Sequence, residues 1–71
     1  MAAPAEKIIA KFGGARPLAA ALRTTPASVY RWTYPRERGG SAGYIPTRWI
    51  PRINELAALS GVELTAEDWD A

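Results

Sequence analysis

The side chains able to do chemistry in this chain are mostly cations and hydroxyls. Its nine basic residues (Lys7, Lys11, Arg16, Arg23, Arg31, Arg36, Arg38, Arg48 and Arg52) all fall within residues 1–52, against two acids there, Glu6 and Glu37, for a net charge of +7. Residues 53–71 hold five acids (Glu55, Glu63, Glu67, Asp68 and Asp70) and no cation, a net charge of −5. Such a split points to one face made for a polyanion and another turned away from it. In the middle of the basic segment, residues 24–32 read TTPASVYRW: two threonines and a proline, then Ser28, Tyr30 and Arg31. These groups hydrogen-bond and attract anions, and the stretch holds no obvious catalytic group.

The same inventory excludes most catalysis. There is no histidine, the commonest general base and metal ligand. There is no cysteine, which removes disulfides and thiolate metal sites. The carboxylates are scattered. No enzyme, metal, cofactor or small-molecule substrate is expected. At 71 residues the chain is at most one domain, residues 1–71, with a small core. It has no apolar run long enough to span a membrane and no signal-peptide pattern, so a cytoplasmic protein without membrane contact is expected.

Those polar groups need elements to hold them. Residues 4–12 predict a helix with Pro4 at its start, Glu6 in its first turn, and Ile8, Ile9 and Phe12 on one face. Gly13 and Gly14 stop it. Residues 15–22 predict a second helix, Pro17 tolerated in its first turn and Leu18, Ala19 and Leu22 facing inward. Residues 25–32 predict a third, with Thr25 as N-cap, Pro26 as first helical residue, and Val29 and Trp32 facing inward. Trp32 is therefore a core residue and not a stacking platform. Residues 33–45 form a long connection without regular structure, since Pro35, three glycines and Ser41 interrupt it. A fourth helix runs from near Thr47 to about Ser60, with Ile50, Ile53, Leu56, Ala57 and Ser60 at helical spacing and Pro51 in the first turn. Beyond Gly61, Val62 and Leu64 pack, and Thr65 with Asp68 caps a last turn that buries Trp69. The expected class is all-α, a bundle of four to five helices.

Residues 15–32 also fit a helix-turn-helix. That pattern places an apolar residue at its fourth position, alanine at its fifth, and apolar residues at its eighth, fifteenth and eighteenth. Counting from Ala15 these are Leu18, Ala19, Leu22, Val29 and Trp32. Two helices crossing over a short turn touch at few points, so a small residue permits the approach and the apolar set locks it. One position departs: the turn usually carries glycine where this chain has Arg23. Either the turn takes another shape, or Arg23 bears a left-handed conformation costing roughly 1 kcal/mol.

The stretches LAAALRTTPASVYRW, YIPTRWIPRINELAALSG and VELTAED together resemble the Cro-type and YdaS-like regulators of phages and prophages, which are small lambda-repressor-like helical DNA-binding domains. In that group an Ile-Pro pair after a loop opens the helix that follows the recognition helix, and Ile45-Pro46 fills that place here. The resemblance covers about residues 7–69. It implies a transcriptional regulator of double-stranded DNA, a Cro-like repressor occluding a promoter, with helix 25–32 in the major groove. By it, Thr25, Ala27, Ser28, Tyr30 and Arg31 read bases, and Arg16, Arg23, Arg36, Arg38 and Arg48 meet phosphates. Arginine can pair bidentately with guanine, and the methyl of alanine can touch thymine. One recognition helix reads few base pairs, so a homodimer joined through the C-terminal region is expected on DNA. The alternative is a protein-binding module on a helix-turn-helix scaffold, an antitoxin-like or polymerase-binding adaptor.

Overall fold

A computed structural model describes residues 3–69; Asp70, one of the acids counted above, lies outside that range. The described residues form four α-helices: α1, Pro4–Lys11; α2, Ala15–Leu22; α3, Pro26–Arg31; and α4, Ile50–Ser60. Short 3-10 turns lie at Arg36–Arg38, Thr47–Trp49 and Ala66–Trp69. No strand occurs among the described residues, so the class is all-α.

The punctuation that starts and stops these helices is local. Proline stands in the first turn of α1, α3 and α4, where its missing N–H is no loss. Three helices end on a left-handed residue: Gly13 after α1, Arg23 after α2 and Gly61 after α4. At each end the N–H one residue further on folds back to the helix, from Gly14 to the Ile9 carbonyl, Thr24 to Ala19 and Val62 to Ala57, each at 2.9 Å. This geometry satisfies carbonyls that a helix end leaves unpaired.

The core gathers one face from every helix. Ile8, Leu18, Val29 and Ile53 are fully buried, with Ala19, Leu22, Trp32 and Ala57 nearly so. Ile9, Phe12, Ile50, Leu56, Leu64 and Trp69 pack half-buried against them. Ser60, expected on the inward stripe of α4, is exposed. The helix expected from residue 47 is also divided: Thr47–Trp49 is a 3-10 turn and the α-helix begins at Ile50. Pro51 explains the division. It has no N–H to donate and must lie within the first α-helical turn, so the preceding residues wind more tightly. The last turn is likewise a 3-10 turn and not a fifth α-helix.

Residues 33–45 are ordered by backbone hydrogen bonds. The chain leaves α3, makes the turn Arg36–Arg38, and returns so that the Ser41 N–H donates to the Arg31 carbonyl at 3.1 Å and the Gly43 N–H to that of Trp32 at 2.7 Å. The Ala42 N–H reaches the Tyr34 carbonyl at 2.8 Å, and the Gly43 carbonyl accepts from Ala5 at the start of α1, also at 2.8 Å. The returning strand of chain thus caps α3 and ties it to α1. Gly40 permits this: a Cβ there would lie 2.2 Å from the Tyr34 carbonyl oxygen and 2.5 Å from that of Arg31.

The C-terminal segment folds back onto α1. Lys11 Nζ meets Asp68 Oδ2 at 2.6 Å and donates to the Glu63 carbonyl at 2.9 Å, while Lys7 Nζ donates to the Glu67 carbonyl at 2.7 Å. Asp68 also accepts from the Thr65 N–H at 2.8 Å, the cap expected for this last turn. Trp69 is half-buried.

Candidate nucleic-acid interface

Helix α3 has six residues, too few to persist alone, and three local devices hold it. Its N-terminus is capped by Thr25, whose hydroxyl oxygen accepts from the Ser28 N–H at 3.2 Å. Val29 and Trp32 anchor its inner edge. Its last carbonyls are taken by the returning loop and by the Thr33 hydroxyl, which donates to the Tyr30 carbonyl at 2.7 Å. The opposite edge is free to face solvent: Ala27, Tyr30 and Arg31, at helical spacing i, i+3, i+4, are all exposed.

Thr25 is exposed and Ser28 half-buried, and their hydroxyls lie 3.0 Å apart. One hydroxyl donates to the other, so one proton of the pair remains available to an outside acceptor. Of the residues expected to meet phosphates, Arg16 opens α2, Arg23 forms the α2–α3 turn, Arg36 and Arg38 lie in the turn after α3, and Arg48 lies in the turn before α4. All five are exposed. Arg23 has φ 59° and ψ 42°, so the turn keeps its ordinary shape and the arginine carries the left-handed strain.

Cations divide by residue type. Both lysines are engaged by the C-terminal segment, whereas all seven arginines are exposed and none has an ion-pair partner among the described residues. Among the described residues Asp68 is the one buried carboxylate: the Lys11 ammonium, then the Thr65 N–H, hold its acid group below the usual carboxylate range.

The fold brings some of the expected residues together. Ser28 and Arg31 of α3 share with Arg48 a cleft of about 210 Å³ between α3 and the turn Thr47–Trp49. Trp32 and Trp49, ring centroids 6.1 Å apart, and Ser41 also line it. Arg16, Arg23, Ala27 and Tyr30 lie outside this cleft.

No family model, curated protein or solved structure matches this chain.

Two features of this surface had no clear signal in the sequence. Trp49 stands beside Arg48, whose guanidinium lies 5.8 Å from the Trp49 ring centroid, in cation–π range. Arg38 is placed in the same way over Tyr34, at 5.9 Å. Each aromatic ring restricts an arginine that would otherwise move freely in solvent. An Arg-Trp neighbour pair in sequence hints at the first contact; nothing local marks the second. Among the described residues no cluster of three acids could hold a metal ion, and no helix is long and apolar enough to cross a membrane.

Proposed function

We propose that this chain is a transcriptional regulator that binds double-stranded DNA, with α2 and α3 as a lambda-repressor-like helix-turn-helix and α3 in the major groove. One observation carries the reading. The five positions that the pattern requires to be apolar, Leu18, Ala19, Leu22, Val29 and Trp32, are all buried, and the residues between them on α3 face out. A helix locked along one edge can present the other to base edges. Thr25, Ala27, Ser28, Tyr30 and Arg31 are then the candidate base readers, with Arg16, Arg23, Arg36, Arg38 and Arg48 on phosphates. The unpaired arginines support this, because a cation already held by a carboxylate gains little from a phosphate.

A single α3 reads few base pairs, so two copies occupy two half-sites about 34 Å apart, or a multiple of that. The expected contact is the C-terminal region, from which Asn54 and Trp69 line a groove of about 330 Å³ together with Pro4, Tyr44, Ile45 and Ile50. Bound at a promoter, such a dimer represses by occlusion.

Binding selection from a random duplex library, repeated at two salt concentrations, tests this. An enriched palindrome with half-sites near one turn apart is the expected result. If about six phosphates are neutralised, log affinity falls with log salt at a slope of about −5. Salt-sensitive binding with no enriched sequence would leave only an electrostatic surface. The adaptor reading would then take over, with a protein partner in the groove beside Trp69.

A further inference from the structure

We infer that the cleft between α3 and the turn Thr47–Trp49 is a binding site for one phosphodiester group, gripped jointly by Arg31 and Arg48. This rests on the DNA-binding reading and changes one part of it: Arg31 grips the backbone and does not read a base. The cleft is cationic and holds no carboxylate. Arg31 and Arg48 both line it, together with Ser28 and Ser41. Neither arginine has an ion-pair partner among the described residues. A guanidinium presents a planar fork of donors that matches the oxygens of a phosphate, and hydroxyls can donate to what remains. Trp32 and Trp49, packed with ring centroids 6.1 Å apart, also line the cleft and tie α3 to the turn that carries Arg48. Arg48 is held over Trp49, so less freedom is lost when it grips an anion.

The two arginines come from elements 16 residues apart in sequence and meet only because the loop 33–45 returns to cap α3. Ser41, in the cleft lining, donates its own N–H to the Arg31 carbonyl at 3.1 Å. The site therefore reports the register between α3 and the turn before α4. A phosphate seated there fixes how deeply α3 enters the groove, which leaves base reading to Thr25, Ala27 and Tyr30.

The test is a double-mutant cycle on the full chain with R31A, R48A and R31A/R48A. Binding is measured to the selected duplex and to an unrelated duplex across a salt series. Each single variant is expected to lose affinity about tenfold, by the same factor on both duplexes. Two cations on one phosphate release that phosphate's counterions once, so the double variant should flatten the salt slope by about 0.9 in total. It should also lose less affinity than the product of the single losses. As a control, R16A/R31A combines residues that do not share the cleft and should show multiplicative losses. A slope change of about 1.8 in R31A/R48A overturns the shared site, as does a loss in R31A confined to the selected duplex; either leaves the DNA-binding reading standing. A wild-type chain that binds neither duplex overturns both. Inorganic phosphate added at equal ionic strength separates the sources: competition at millimolar concentration indicates a site for the free ion, and none is expected for a site shaped by the DNA backbone.

Discussion

Arg23 occupies a backbone position that the ends of α1 and α4 give to glycine. For a residue with a Cβ, the left-handed conformation costs roughly 1–2 kcal/mol, and the two glycine-ended helices avoid that cost. The side chain is exposed and has no ion-pair partner among the described residues. This is the pattern of a residue kept for binding at some expense to stability. Arg23→Gly should relieve the strain while adding freedom to the unfolded chain, for a net stabilisation of about 0.5–1 kcal/mol. For a chain of this size thermal melting should then rise by several degrees. The same variant should bind duplex DNA more weakly on every sequence, as the loss of a phosphate contact requires. A melting point that falls in Arg23→Gly would mean that the arginine side chain makes a stabilising contact and that the strain argument fails.

At the scale of elements, the helices were legible because their signals are local. Pro4, Pro26 and Pro51 mark starts, Gly13 and Gly61 mark ends, and the inward residues recur at helical spacing. The connection 33–45 was not legible. Its glycines read as interruption, yet its conformation depends on backbone hydrogen bonds to Trp32, Tyr34 and Ala5, and backbone groups carry no sequence signature. The split of the last long helix into a 3-10 turn and α4 has a cause that is local: an α-helix begun at Thr47 would need the N–H that Pro51 lacks, so the start moves to Ile50, and Trp49 packs on Trp32. Gly40 tests the loop's role. It has no positive φ, so its need for glycine is steric alone. Gly40→Ala drives a methyl group into the Tyr34 and Arg31 carbonyls and should cost about 1–3 kcal/mol, read as a lower urea midpoint. Because the Arg31 carbonyl and Ser41 border the candidate cleft, DNA affinity should fall further than partial unfolding explains. An unchanged midpoint would show that the loop tolerates displacement and does not set the position of α3.

For the whole molecule, the charge split in the sequence maps onto a physical division of labour, but with one turn that composition does not contain. The acidic third does not simply face away from the basic one; it folds back and engages both lysines of α1 through partners 52–60 residues distant in sequence. Lys7 and Lys11 thereby serve the fold, and the arginines are left to face solvent. Composition alone gives all nine cations equal standing, and only the tertiary contact separates them. Asp68 is the hinge of this arrangement, buried between Lys11 and the Thr65 N–H. Its acid group is held below the usual range by Lys11 first and Thr65 second, so the folded chain binds that proton less readily than the unfolded one. Its contribution to stability is therefore complete above about pH 4, the ordinary value for an aspartate, and is lost as pH falls through the lower folded value. Asp68→Asn removes the titration and leaves an oxygen able to accept from Thr65. Urea midpoints measured at pH 7 and pH 3 should fall more in the wild type than in Asp68→Asn, with the variant already the less stable of the two at pH 7. At neutral pH the variant should still bind DNA once folded, because the arginines proposed to grip it do not depend on the tail. Equal acid sensitivity in both proteins would show that the charged contact between Asp68 and Lys11 adds nothing to stability.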